Sequence, residues 1–226
     1  MNRNALYLLS FTICLAALGC GSSETRPNVR SNVPNGTGGN EAQTAANVMN
    51  NTSAAEAAKA SPFNKTVEMH GIKFTVESPN SAVDNFVKVT PAGLTITNEP
   101  FTAKIAGEVV AAEVGDLNVD SSPEVFVFYK ETAGMKRARV LAYSANAKKS
   151  LSEVNMPEPD PASKEYAGYR GEDEMTVIEN VLSHRFPVYD GSGPDAKKTG
   201  KTRIVQFKIK PGEAAWQFYV HRSDEY

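Results

Sequence analysis

The chain has 226 residues, with 24 basic and 26 acidic side chains, a formal charge of −2 and only two cysteines. This balance gives no reason to expect nucleic acid, which selects a strongly basic face. Two cysteines also leave no room for a disulfide framework, so stability must come from a hydrophobic core.

Arg3 is followed by an apolar run, Ala5–Leu18, and then by Ala17-Leu18-Gly19-Cys20. The run, about 14 residues, is too short to cross a hydrocarbon core of about 30 Å as a helix. A charged start, a short apolar segment and a small residue at the end describe a secretory signal peptide, expected to span residues 1–19. Cys20 stands where a lipobox places its lipidated cysteine, and in this the sequence resembles bacterial lipoproteins. The resemblance implies an exported protein held to a membrane by lipid on Cys20. Gly21 and Ser22 follow, with no aspartate. By the sorting rule of enteric bacteria this favours an outer-membrane lipid anchor, with the periplasmic face expected. Loss of Arg3 and Cys14 with the signal leaves 23 basic against 26 acidic residues, a charge near −3, and Cys20 as the remaining cysteine.

From Gly21 to Ser61, Asn, Ser, Thr, Ala and Gly dominate and no aromatic residue occurs. Such a composition cannot bury enough apolar surface to offset ordering entropy. Residues 20–61 are therefore expected to be a lipidated, disordered tether with a reach of about 35 Å.

Residues 62–226 are expected to form one domain, large enough to bury roughly two-thirds of its unfolded surface. The pattern is strand-like. Val67 and Met69, then Ile72, Phe74 and Val76, alternate around His70-Gly71, which predicts a hairpin with a two-residue turn. Phe86–Val89 and Leu94–Thr97 flank Thr90-Pro91-Ala92-Gly93 and predict a second. Val109–Val114, Val125–Tyr129, Val140–Tyr143, Val177–Leu182 and Arg185–Val188 read as further strands. Ile204, Phe207 and Ile209, then Trp216, Phe218 and Val220, predict a last hairpin across Pro211-Gly212. One short helix is expected near Pro161–Tyr166. Many short strands separated by turns predict an all-β, compact antiparallel β-sandwich-like single domain with at most one short helix.

The loop Asp116–Glu124 places Asp116, Asn118 and Asp120 at alternate positions, with Ser122 and Glu124 beyond. Calcium takes several oxygen ligands at about 2.3–2.6 Å, so this spacing suits a cation. Asp and Asn also make turns by capping their own backbone, and here Ser121 replaces the glycine usual in calcium loops. Both readings are open; the second function class considered is accordingly a calcium-stabilised binding or adhesion module. His70, His184 and His221 fit no metal-ligand spacing and are expected in surface or hydrogen-bonded roles. Gly191-Ser192-Gly193 lacks the strand–Ser–helix context of a nucleophile elbow. Glu172-Asp173-Glu174 reads as a solvated turn rather than acid/base machinery. No cofactor and no catalytic activity are expected, and nothing specifies an oligomeric state.

Lys130–Arg139 holds four basic residues and Met135 around Gly134, between two predicted strands. It is followed by Val140-Leu141-Ala142-Tyr143-Ser144-Ala145-Asn146 and Lys149-Ser150-Leu151-Ser152-Glu153. This run resembles the periplasmic inhibitors of invertebrate-type lysozyme of Gram-negative bacteria. Gly71-Ile72-Lys73-Phe74-Thr75-Val76, Val114-Gly115-Asp116-Leu117, Gly168-Tyr169-Arg170-Gly171, Arg185-Phe186-Pro187-Val188-Tyr189 and Pro211-Gly212-Glu213-Ala214 agree, in the family's order. The resemblance implies an antiparallel β fold that protects peptidoglycan by inserting a loop into a lysozyme, with an invertebrate-type lysozyme as partner. In the family, Ser and Tyr hydroxyls reach the two catalytic carboxyls. Here Arg137 falls at the tyrosine position and Gly134 near the serine, so the hydroxyls are gone. The contact loop is expected at Gly134, Met135, Lys136, Arg137 and Arg139, with Lys136 and Arg137 pairing with lysozyme carboxylates.

Overall fold

The structure is a computed structural model that describes residues 61–191 and 193–226. The expected signal peptide, Cys20 and the tether lie outside the described residues. The described residues form twelve strands in two sheets. The first sheet is a meander of β1 (Phe63–Met69), β2 (Ile72–Ser78), β3 (Phe86–Ala92) and β4 (Phe101–Lys104). The second holds β5 (Gly107–Gly115), β6 (Glu124–Glu131), β7 (Ala138–Asn146), β8 (Ser150–Asn155), β9 (Glu174–Ile178), β10 (Val181–Asp190), β11 (Lys197–Pro211) and β12 (Trp216–Glu225). Its spatial order is β5-β6-β7-β8-β12-β11-β10-β9. Every pairing is antiparallel except the short contact of β8 with β12.

Strand β6 explains the layering. Val125 and Val127 point to one side and join Phe74, Val76, Val87 and Val89 of the small sheet. Phe126 and Phe128 point to the other and join Leu182, Phe186, Phe207 and Phe218. All four β6 side chains are buried. Period-two alternation of apolar residues on both faces makes β6 the wall shared by two cores. The large sheet curls so that its end strands approach. Glu113 of β5 accepts from the Thr176 hydroxyl at 3.2 Å and from the Val177 N–H of β9 at 2.6 Å. A side chain, rather than a backbone ladder, thus closes this barrel-like half, and the small sheet covers its outer face as a sandwich.

The β1–β2 hairpin has the predicted register, Met69 opposite Ile72, and its turn places both His70 (φ 51°) and Gly71 (φ 81°) in the left-handed region. The β11–β12 hairpin also forms where expected. Three local expectations are corrected. Leu94–Thr97 is not a strand: β3 runs on through Pro91 and pairs with Phe101–Lys104, while Thr95 and Ile96 donate to the carbonyls of Lys148 and Lys149. Val177–Leu182 is two strands, split at Glu179 (φ 54°). Pro161–Tyr166 is a chain of turns, closed by Ser163 N–H to Asp160 O, Tyr166 N–H to Ser163 O and Tyr169 N–H to Tyr166 O. The helical residues described are one 3-10 turn at Gly193–Asp195.

Candidate functional site

The β6–β7 hairpin carries the candidate loop. Lys130 pairs with Ala138, and Glu131 N–H donates to Arg137 O at 3.0 Å, so the free tip is Thr132–Lys136. Gly134, Met135 and Lys136 are exposed, Met135 at 49%. Lys136 has φ 51° and makes no ion pair among the described residues. Arg137 behaves differently from the sequence expectation. Its Nε and Nη2 reach the two oxygens of Glu131 at 3.0 and 3.1 Å. That bidentate pair raises the guanidinium above its ordinary pKa and folds it back across the hairpin base. Arg139 is likewise occupied, by Glu158 at 2.6 and 2.5 Å and by Glu131 at 3.3 Å. Two of the five candidate contact residues therefore brace the loop, and three form its tip.

A buried polar network lies behind the base. Asp173 Oδ1 accepts the Ala138 N–H at 2.7 Å. Its Oδ2 meets His184 Nε2 at 2.6 Å and accepts the Tyr169 hydroxyl at 2.6 Å. Tyr166 Oη lies 3.1 Å from His184 Nδ1. These partners assign the ring proton to Nε2, which donates to Asp173, and leave Nδ1 to accept from Tyr166. Burial alone would push the Asp173 carboxyl up; the bonds from His184, Tyr169 and Ala138 outweigh it and hold the carboxyl below its ordinary value. Burial and the Asp173 carboxylate raise both phenols. Phe186 completes the packing, stacked on Tyr166 at 5.6 Å and edge-on to Tyr169 at 4.8 Å. Close by, Gly171 (φ 77°) sits so near the tip that a Cβ there would lie 2.5 Å from Met135 O.

The reading of Glu172-Asp173-Glu174 as a solvated turn is corrected: Glu172 and Glu174 are exposed, but Asp173 is 2% accessible. His184 is fully buried and Asp173 nearly so, which sets this Asp–His pair inside the core. The sequence does carry a trace of it. Leu182, His184, Phe186 and Val188 share one face of β10, and a histidine inside an apolar alternation needs buried partners. Tyr166 and Tyr169 carry no comparable mark, because they sit in irregular chain.

The acidic loop turns its oxygens on itself. Asp116 accepts from the N–H of Asp120 at 3.0 Å and of Ser121 at 2.9 Å. Asp120 accepts from Ser122 N–H at 2.7 Å and from the Asn118 amide at 2.9 Å. This is the backbone-capping use of Asp and Asn. Glu124 is fully buried and accepts from Leu117 N–H at 2.8 Å and Ser144 Oγ at 2.9 Å. Desolvation pushes its carboxyl up to about 8, against those two bonds. Among the described residues no group of three or more His, Cys, Asp or Glu side chains is arranged to hold a metal ion. His70 lies at the β1–β2 turn, 3.7 Å from Asp116, and His221 is exposed on β12. Ser192 lies outside the described residues.

No family model matches the chain, and neither does any curated protein or solved structure.

Proposed function

We propose that this chain is an envelope lipoprotein, anchored through Cys20, that inhibits a lysozyme by placing the tip Gly134-Met135-Lys136 in its cleft. The observation that supports this most is the contrast between tip and base. The tip offers an exposed thioether and an exposed ammonium that makes no ion pair among the described residues. The base is fixed by Glu131–Arg137, Arg139–Glu158 and Ala138–Asp173. A lysozyme cleft holds two carboxyl groups flanking the sugar bond. The Lys136 ammonium suits that pair, and an ion desolvated there must be matched. Preformed support lowers the ordering cost of insertion. The partner class rests on the resemblance of several sequence runs to the lysozyme-inhibitor family. The sequence expectation pairs both Lys136 and Arg137 with lysozyme carboxylates; Lys136 keeps that role here, beside Met135, and Arg137 becomes a brace. Titration of the mature chain against invertebrate-, chicken- and goose-type lysozymes tests the reading; absence of inhibition of all three at micromolar concentration refutes it.

A further inference from the structure

Strand β7 has neighbours on both edges for only part of its length. It pairs with β6 from Ala138 to Ser144, but with β8 only from Tyr143 to Asn146. Beyond Glu153 the chain turns to β12, meeting it at Val154 and Asn155. Among the described residues, Ala138–Ala142 is thus paired with no strand on its second edge. Because Glu131 N–H bonds Arg137 O, and antiparallel pairs alternate, Arg139 and Leu141 aim their backbone groups at β6. Ala138, Val140 and Ala142, all buried, aim theirs at the other edge, where the segment Glu153–Pro159 rather than a paired strand lies alongside. The Ala138 N–H fits this alternation, since it goes to Asp173.

A cavity of about 200 Å³ runs along that edge, walled by Tyr129, Val140, Leu141, Met156 and Met175. Pockets for whole small molecules run from about 300 to 1,000 Å³, so this one suits a side chain. Arg139, Glu153 and Glu158 also line it. The Arg139 guanidinium is fixed from behind by Glu131, which is 18% exposed and shared with Arg137. Its outer nitrogens hold Glu158 bidentately, and Glu158 is 67% exposed on the segment Pro157–Pro159. A rigid guanidinium fork therefore faces a carboxylate supplied by a solvent-side loop.

We propose that this cleft binds the carboxyl terminus of an extended peptide. The peptide backbone adds to this second edge at Val140, its last side chain enters the cavity, and its terminal carboxylate replaces Glu158 on Arg139. Glu158 is then an internal competitor for the site. The site lies beside the hairpin tip and shares the Arg139–Glu158 pair with its base, but peptide binding is read without a lysozyme.

The test uses the mature chain with Cys20→Ser and isothermal titration of acetyl-Thr-Val-Thr-Leu, with a free carboxylate or as the terminal amide. The carboxylate form is expected to bind about tenfold or more tighter than the amide, the loss of a charge-assisted bidentate bond. Glu158→Gln, an exposed change, is expected to tighten binding several-fold, and Arg139→Gln to weaken it about tenfold or more. Undetectable binding, equal affinity for the two peptides, or a Glu158→Gln variant that binds no tighter overturns the proposal. Far-UV circular dichroism checks that each variant is folded.

Discussion

The backbone N–H of Ala138, at the base of the exposed hairpin, donates to the carboxylate of Asp173 at 2.7 Å, and the same carboxylate holds the fully buried His184. The loop's first residue in β7 is thereby tied to the core of the large sheet. Removing the carboxylate leaves the Ala138 N–H, the Tyr169 hydroxyl and His184 Nε2 without a buried partner. Asp173→Ala is expected to cost about 3–5 kcal/mol in urea unfolding. A loss under about 1 kcal/mol would contradict the role given to this network.

The same residue sets an acid limit. Its folded-state pKa is depressed below the ordinary 3.8, so the unfolded chain binds the proton more readily. The stabilisation is present above that ordinary value and is lost as pH falls through the folded value. Stability measured from pH 5 downward is expected to fall less steeply in Asp173→Asn than in the parent.

Glu124 has the opposite sign. Its folded pKa of about 8 lies above the ordinary 4.5, so the folded state holds the extra proton between them. Its contribution is complete below 4.5 and disappears as pH rises through 8, at up to about 1.4 kcal/mol per pH unit. Unfolding curves between pH 5 and 9 should show that decline. Glu124→Gln should flatten it, and a variant as pH-dependent as the parent would count against a protonated Glu124.

Gly171 supports the tip by lacking a side chain. Gly171→Ala strains a left-handed backbone and must in addition shift Met135, an expected cost of about 1–3 kcal/mol. Inhibition should weaken with it, whereas Gly134→Ala at the open tip, where no atom lies within 4 Å, meets only the backbone penalty.

Sequence patterning reached the fold where alternation and turn chemistry agreed. His70-Gly71 and Pro211-Gly212 each separate two alternating runs, and both hairpins form. It failed where one cue misled. Pro91 looks like a turn residue, but no strand lies opposite it on the β4 side, so its missing N–H costs nothing there. Glu179 and Asn180 turn the chain between Ile178 and Val181 without glycine, and the polar pair inside Val177–Leu182 is the one sign of it. At the site, the basic loop was legible as a hairpin between strands. The pairing of Arg137 with Glu131, six residues earlier, depends on hairpin register. The burial of Asp173 depends on chain 35 residues away in the sequence.

Inhibition by the hairpin tip is open to direct assay. The most direct measurement is murein-lysis inhibition by the mature Cys20→Ser chain against an invertebrate-type lysozyme, compared with its Met135→Ala/Lys136→Ala variant. The account predicts saturable inhibition by the parent and a loss of about tenfold or more in potency for the variant, with unfolding stability changed by less than about 0.5 kcal/mol. Equal potency of the two proteins, or no inhibition by either, would contradict it.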